Sequence, residues 1–310
     1  NNDEGPYPFY KTLTTYFSEM KSPVVLRLKG VSRQKKLSLQ ESYTVKFGNL
    51  GFQSAELKGG NLSQGQQKSS QVTVANLGKA PIKVTFENVS EGLSLSLSQN
   101  PIPAGETAKL TFTVTASRNR WGKNYYYATP VVDGKKYKAV VTSASAQGKT
   151  VNGYSGSQGN VDAPGAEAIL SDPNPNIGAG KEKIAVYAFT KEDFASMTDA
   201  QKKQAAQLSV KDGSTFDFGR VKAGTKVDAV FTITNPGKQP LKVFKVDSES
   251  RKVATSEISI PEVKPGGSAT FHVKFDTTGL SKGETSVVLL LTTNAPSRPI
   301  VNLYINGWIN

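Results

Sequence analysis

The chain reads as all-β: tandem immunoglobulin-like antiparallel β-sandwich modules, with one short helix in the connector between them. Three observations lead there. The stretch ANLGKAPIKV at 75–84 returns as TNPGKQPLKV at 234–243, 159 positions later. Apolar residues around both copies alternate with polar ones at a period of two, the pattern of half-buried strands. Turns rich in Gly, Pro and Asn separate these runs at short intervals, which suits many short strands rather than helices.

The repeat reaches beyond the turn. Leu57, Gly60, Leu62 and Gly65 match Phe216, Gly219, Val221 and Gly224 at the same offset. Val72 and Val74 match Phe231 and Ile233. Further on the offset is 161: Leu110, Phe112 and Val114 match Phe271, Val273 and Phe275, and Gly122 matches Gly283. Colinear glycines and apolar positions over about 100 residues mark two copies of one module. A length of 310 residues suits two domains and part of a third.

In chain order, residues 1–38 read as the closing hairpin of a truncated module, because KSPVVLRLKG at 21–30 resembles SRPIVNLYING at 297–307 and residues 7–17 supply a strand before it. Residues 39–146 form the first complete module. Residues 147–207 form a connector: a Gly/Ser/Asn/Pro-rich linker, a short buried strand IAVYAF at 184–189, and a helical segment at 191–208. Thr198 and Gln201 are spaced as a capping box for that helix. Residues 208–310 form the second module. In the repeated turn, Asn and Gly are expected to supply positive φ. Pro81 and Pro240 would stand where the following strand can spare an N–H.

Composition excludes several functions. There is no cysteine, so disulfides, thiolate metal sites and cysteine nucleophiles are ruled out. The single histidine, His272, alternates with Phe271 and Val273 and should face solvent. No Walker A, G-x-S-x-G or G-x-G-x-x-G motif stands in a strand–helix context. DPNPNIG at 172–178 echoes a calcium loop, but Ile177 replaces the required Gly and Lys183 the required Glu. No catalytic residue, metal or cofactor is expected, and the chain is read as no enzyme. No apolar run approaches membrane-spanning length.

The net charge is +13, and residues 1–150 carry most of it, with 20 Lys and Arg against 9 Asp and Glu. The excess is mostly Lys; Arg numbers only seven. Arg is the better fork for phosphates and bases, so nucleic acid is not the expected partner. The sharpest candidate site is the basic aromatic segment 117–138. It offers Arg118, Arg120, Trp121, Lys123, Tyr125, Lys135 and Lys136 as ligand-binding residues. Cations beside aromatic faces suit sugar rings, anionic polymers or a protein partner. The competing reading puts a Tyr125–Tyr127 ring in the core and makes Trp121 a cover.

FDFGRVKAGTKVDAVFTITNPGKQPLKV, at 216–243, resembles a bacterial family of uncharacterised Ig-like domains, related to Hydin-type domains and abundant in exported proteins of Bacteroidetes. Phe218-Gly219, Gly224, Asn235, Gly237, Pro240, Leu241 and Pro265-Gly266 carry the resemblance. It covers nearly all of 210–308 and, more weakly, 45–146, where Gly59-Gly60 replaces Phe-Gly. Many members carry Cys-Gly-Cys where this chain reads VDSESRKVATSE at 246–257, so no metal or redox role carries over. The resemblance implies an exported protein of the periplasm or cell surface, with lipid anchoring ahead of Asn1 as one route. The function so expected is adhesion, scaffolding or ligand presentation in the envelope, toward a protein or polysaccharide partner. The alternative is glycan or polyanion binding through 117–138.

Overall fold

The computed structural model describes residues 7–15, 24–32, 37–142 and 174–310. Of the glycine-rich linker expected over 147–183, residues 147–173 lie outside this description, and with them Asp172 of the calcium-like loop. Two compact units are present, residues 1–42 and 43–310.

The first unit holds β1 (Tyr7–Thr15) paired antiparallel with β2 (Val24–Ser32), followed by one helical turn, α1 (Leu39–Ser42). Ser38 and Glu41 cap that turn reciprocally, each side chain accepting the other's backbone N–H. Leu13, Val25, Leu26 and Val31 are exposed on the hairpin.

The second unit contains two β-sandwiches. The strands of the N-terminal one are β3 (Val45–Phe47), β4 (Leu50–Phe52), β5 (Glu56–Ser63), β6 (Gln67–Asn76), β7 (Val84–Glu87), β8 (Leu93–Leu97), β9 (Thr107–Thr115), β10 (Gly122–Val132), β11 (Lys135–Lys136), β12 (Val140–Val141) and β13 (Ile184–Lys191). One sheet runs β12-β3-β4-β6-β9-β8. The other runs β11-β10-β13-β5, with β7 also on β10. Alternation along β9 buries Ala108, Leu110, Phe112 and Val114 between the sheets, against Phe47, Phe52, Leu62 and Val186. Tyr126 joins this core from β10. Asp133 and Gly134 both adopt positive φ (49° and 74°), as a tight two-residue β10–β11 turn requires.

The strand at 184–191 does not stay in the connector to which the sequence assigns it. β13 lies between β10, antiparallel, and β5, parallel, and completes the first sandwich. Ile184, Ala185, Val186 and Ala188 are fully buried there. The helix is also shorter than 191–208: α2 spans Asp199–Gln204. Its capping box forms as read, with Thr198 N–H donating to Gln201 Oε1 at 2.8 Å and Gln201 N–H to Thr198 Oγ1 at 3.3 Å.

The C-terminal sandwich sets β14 (Ser209–Lys211), β16 (Lys226–Thr234) and β18 (Ser268–Asp276) against a sheet ordered β15 (Thr215–Val221), β20 (Ile300–Ile309), β19 (Gly283–Thr293) and β17 (Val243–Ser248). Phe231 and Ile233 point inward beside Phe271, Val273 and Phe275. His272 is exposed and meets Asp228 at 2.9 Å on the outer face. Not every pair is antiparallel. In each module the first long strand runs parallel to the last, β5 with β13 and β15 with β20. Both pairs carry a register shift at the same place, around Gly59-Gly60 and Phe218-Gly219.

The repeated turn works differently from the expectation. Neither Gly78 nor Gly237 has positive φ. The glycine is needed for close approach: a Cβ at Gly237 would meet the Ala205 carbonyl oxygen and the Gln207 nitrogen, and one at Gly78 would lie 2.8 Å from Asn49 Nδ2. The asparagine is a fully buried hub. Asn235 Nδ2 donates to the carbonyls of Gln239 (2.8 Å) and Val263 (2.9 Å), and Oδ1 accepts from Gly237 N–H and Gln207 N–H. Asn76 makes the same bonds to Ala80, Ile102 and Gly78. One amide thus satisfies backbone groups that would otherwise be buried unpaired.

Candidate functional site

The loop before β10 and the start of β10 carry the basic aromatic residues, and the C-terminal module meets the chain there. Trp121 stacks on Phe244 with ring centroids 4.1 Å apart and planes 6° from parallel. The next peptide is gripped from both sides. Lys123 N–H donates to Asp247 Oδ2 at 2.8 Å, and the Lys245 ammonium donates to the Lys123 carbonyl at 2.6 Å. Lys245 and Asp247 also pair with each other at 2.8 Å, and the Asp247 side chain is only 13% exposed. Gly122 makes this approach feasible: its φ is +64°, and the Asp247 carboxylate occupies the place of a Cβ. Buried Asn124 holds the corner by donating to the Gly122 carbonyl at 2.9 Å.

Magnitudes single out this junction. Hydrogen bonds to charged groups contribute roughly 1.5–3 kcal/mol each when shielded. A stacked aromatic pair adds about 0.5–1.5 kcal/mol beyond its buried area. Exposed pairs such as Lys274–Glu257 contribute about 0–1 kcal/mol.

The seven residues read as one site do not gather in one place. Arg118 packs over Gly65, and its carbonyl accepts from Gln64 Nε2, so this residue fastens the loop to the β5–β6 turn. The Arg120 guanidinium lies 5.6 Å from the centroid of Tyr126. Trp121 is a junction residue. Lys123 holds its ammonium over two rings, Tyr125 at 5.2 Å and Tyr187 at 4.8 Å. Lys135 and Lys136 lie at the other end of β10, some eight residues of strand or roughly 26 Å away from Lys123, and Lys136 is paired with Glu87 at 2.7 Å.

A different cluster does form on the outer face of β10 and β13. Tyr125 stacks beside Tyr127, Tyr187 lies across from Tyr125, and Phe189 is edge-on to Tyr187. Asn174 and Asn176 donate to the Tyr127 hydroxyl at 3.3 and 3.2 Å. Burial first, and then the carboxylates of Glu56 and Glu249, push the Tyr187 phenol up to about 12. The phenol therefore stays neutral even above the ordinary tyrosine range. Sequence reasoning missed Tyr187 and Phe189 because it placed their strand in the connector. The signal was there: YAF alternates with buried Val186 and Ala188. Among the described residues there is no group of three or more His, Asp or Glu arranged to hold a metal ion.

Residues 209–309, the C-terminal module, match the family model described as "Protein of unknown function (DUF1573)". No curated protein matches the sequence. A crystal structure of a protein of unknown function from Porphyromonas gingivalis W83 is similar over 84% of this chain and 100% of that one, at 15% identity and a TM-score of 0.56. At that identity the likeness shows the fold. A PapD-like domain of human CEP192 aligns over 37% of this chain and 91% of that one, at 9% identity and a TM-score of 0.25. A titin Ig tandem aligns over 86% and 97%, at 10% identity and a TM-score of 0.20. The packed sheets of the two sandwiches give the chain an Ig-like architecture, and its C-terminal module is similar to a domain of unknown function. Among the described residues no helix is long and apolar enough to cross a membrane.

Proposed function

We propose that this is a non-enzymatic interaction protein of the bacterial cell envelope, exported to the periplasm or cell surface, whose modules form a scaffold for adhesion or ligand presentation. The observation that carries this is the junction. Its most distinctive aromatic and charged groups, Trp121, Phe244, Lys245 and Asp247, are spent on holding two modules at one angle. A fixed angle suits a spacer that presents loops and sheet faces at a set distance. The resemblance to a family abundant in exported Bacteroidetes proteins supports the location. The test is fractionation of producing cells, followed by capture from envelope extract on the immobilised chain. Recovery in the envelope fraction, with a saturable protein or polysaccharide partner, is expected. Recovery in the cytosol without such a partner would overturn it.

A second function is favoured by the Tyr125–Tyr127–Tyr187–Phe189 face with Lys123 beside it: binding of a glycan or polyanion. Affinity electrophoresis in polysaccharide gels distinguishes the two ligand types. Retardation lost in Lys123→Ala, and steeply weakened by salt, indicates a polyanion. Retardation lost in Tyr187→Ala and indifferent to salt indicates a neutral glycan.

A further inference from the structure

The corner that docks the N-terminal module onto the C-terminal one exists a second time. Gly283 stands at the start of β19 as Gly122 stands at the start of β10. The registers agree: Gly122 is opposite Thr190 and Lys123 opposite Phe189, while Gly283 is opposite Ile309 and Glu284 opposite Trp308. On the other flank, Asn61 faces Phe189 as Arg220 faces Trp308. At Gly122 the Asp247 carboxylate fills the place of a Cβ. At Gly283, with φ +133°, nothing among the described residues lies within 4 Å of that place. Beside this open cradle sits Trp308, 41% exposed, with the Arg220 guanidinium 5.3 Å from its ring. An indole left this open, with a cation beside it, has the character of a docking residue.

The surface that receives such a corner is also present twice. Asp247 stands opposite Leu290 on the edge strand β17, and Glu87 stands opposite Thr129 on the edge strand β7. Leu290 and Thr129 differ by 161 positions, the offset of the repeat in this region, so Glu87 is the counterpart of Asp247. The charge arrangement agrees too. Asp247 gives Oδ1 to Lys245 and Oδ2 to the corner. Glu87 gives Oε2 to Lys136 at 2.7 Å and, among the described residues, Oε1 has no further partner. Next to it, Phe86, Val89 and Leu95 line an open groove of about 520 Å³ between β7 and β8, with Val89 38% exposed. A carboxylate and an apolar slot on one edge complement a cradle, a guanidinium and an indole on the other corner.

We propose that the chain self-associates head to tail: the Gly283–Trp308 corner of one copy docks on the β7 edge of the next, with Glu87 over Gly283 and Trp308 in the β7–β8 groove. The contact is heterologous, so it extends rather than closing as a two-fold dimer. It extends the scaffolding function to an assembly of modules in series. A chain that stays monomeric would defeat only the self-association, since envelope location and partner capture are measured separately.

Sedimentation velocity of the full chain, from micromolar to near-millimolar concentration, tests the proposal. Growth of the weight-average mass with concentration is expected. Trp308→Ala and Glu87→Lys should each weaken it at least about tenfold. An equimolar mixture of these two variants should form dimers and no larger species, because only one intact corner and one intact edge remain per pair. A monomer at every concentration, association that survives both substitutions, or a mixture that stays monomeric would overturn the proposal. Both side chains are exposed, and unchanged melting curves verify the fold. Arg220→Glu serves as the corner variant if Trp308→Ala melts early.

Discussion

The two modules reach one architecture by different routes. In the C-terminal module β20 follows β19 after a short turn at 294–299, so the closing hairpin is local. In the N-terminal module β13 follows β10 only after β11, β12 and a long excursion, yet it takes the same place, parallel to the first long strand. The slot between β10 and β5 needs a strand apolar on its inner face, and Ile184, Val186 and Ala188 supply it. Loop-closure entropy grows only logarithmically with loop length, so a long excursion costs little more than a short one. The comparison teaches that burial, and not nearness in sequence, decides membership of a sheet.

The largest effect should come from breaking that closure. Val186 is fully buried in a central strand. Val186→Asp leaves an uncompensated charge in the core, at a cost on the order of 3–5 kcal/mol. Calorimetry should show the transition of the N-terminal module lost or strongly lowered, with that of the C-terminal module retained. A connector strand would tolerate the change, so an intact first transition would contradict the assignment.

The buried turn asparagines sharpen the comparison at a smaller scale. Asn235 makes four hydrogen bonds and Asn76 three, the extra one coming from Gln207 N–H after α2. Each alanine substitution leaves buried backbone groups unpaired, costing about 2–3 kcal/mol. Chemical denaturation should show Asn235→Ala to be the more harmful of the two. Equal, negligible effects would mean that water replaces the amide.

The smallest effect concerns Glu192, just after β13. One carboxylate oxygen is buried without a hydrogen-bond partner, and burial raises its titration above the ordinary glutamate range. A carboxyl group raised in the folded state favours folding while protonated, and that advantage is lost as pH rises through the folded value. Glu192→Gln should therefore raise the melting temperature slightly at neutral pH, and the gain should fade as pH drops to the ordinary glutamate range. A loss of stability at neutral pH would show that Glu192 has a partner in solution.

Much of the fold was legible because period and punctuation are local signals. Phe231, Ile233, Phe271, Val273 and Phe275 alternate inward as their spacing implies, and Thr198 caps α2 with Gln201. The repeat located both copies of the turn, but not the reason for its glycine. Close approach of the Ala205 carbonyl to Gly237 is a tertiary fact, and the spelling Asn-x-Gly also fits positive φ. The candidate site was the least legible part. Arg118, Arg120, Trp121 and Lys123 are close in sequence, but the loop sends their side chains to different neighbours, Gly65, Tyr126, Phe244 and the Tyr125–Tyr187 rings, and the partner of Trp121 lies in the other module. Composition marks such a segment as sticky without telling whether the chain itself supplies the cover.

The central claim is that the basic aromatic segment fixes the angle between modules, and an inter-module distance tests it most directly. The chain has no cysteine, so Ser96→Cys and Ser259→Cys, both exposed, place one spin label on each module. Pulsed dipolar spectroscopy should give one narrow distance distribution in the otherwise unchanged chain. With Trp121→Ala and Asp247→Ala added, it should give a broad one, while both modules keep their melting transitions. A broad distribution before those substitutions, or the same narrow one after them, would contradict the account.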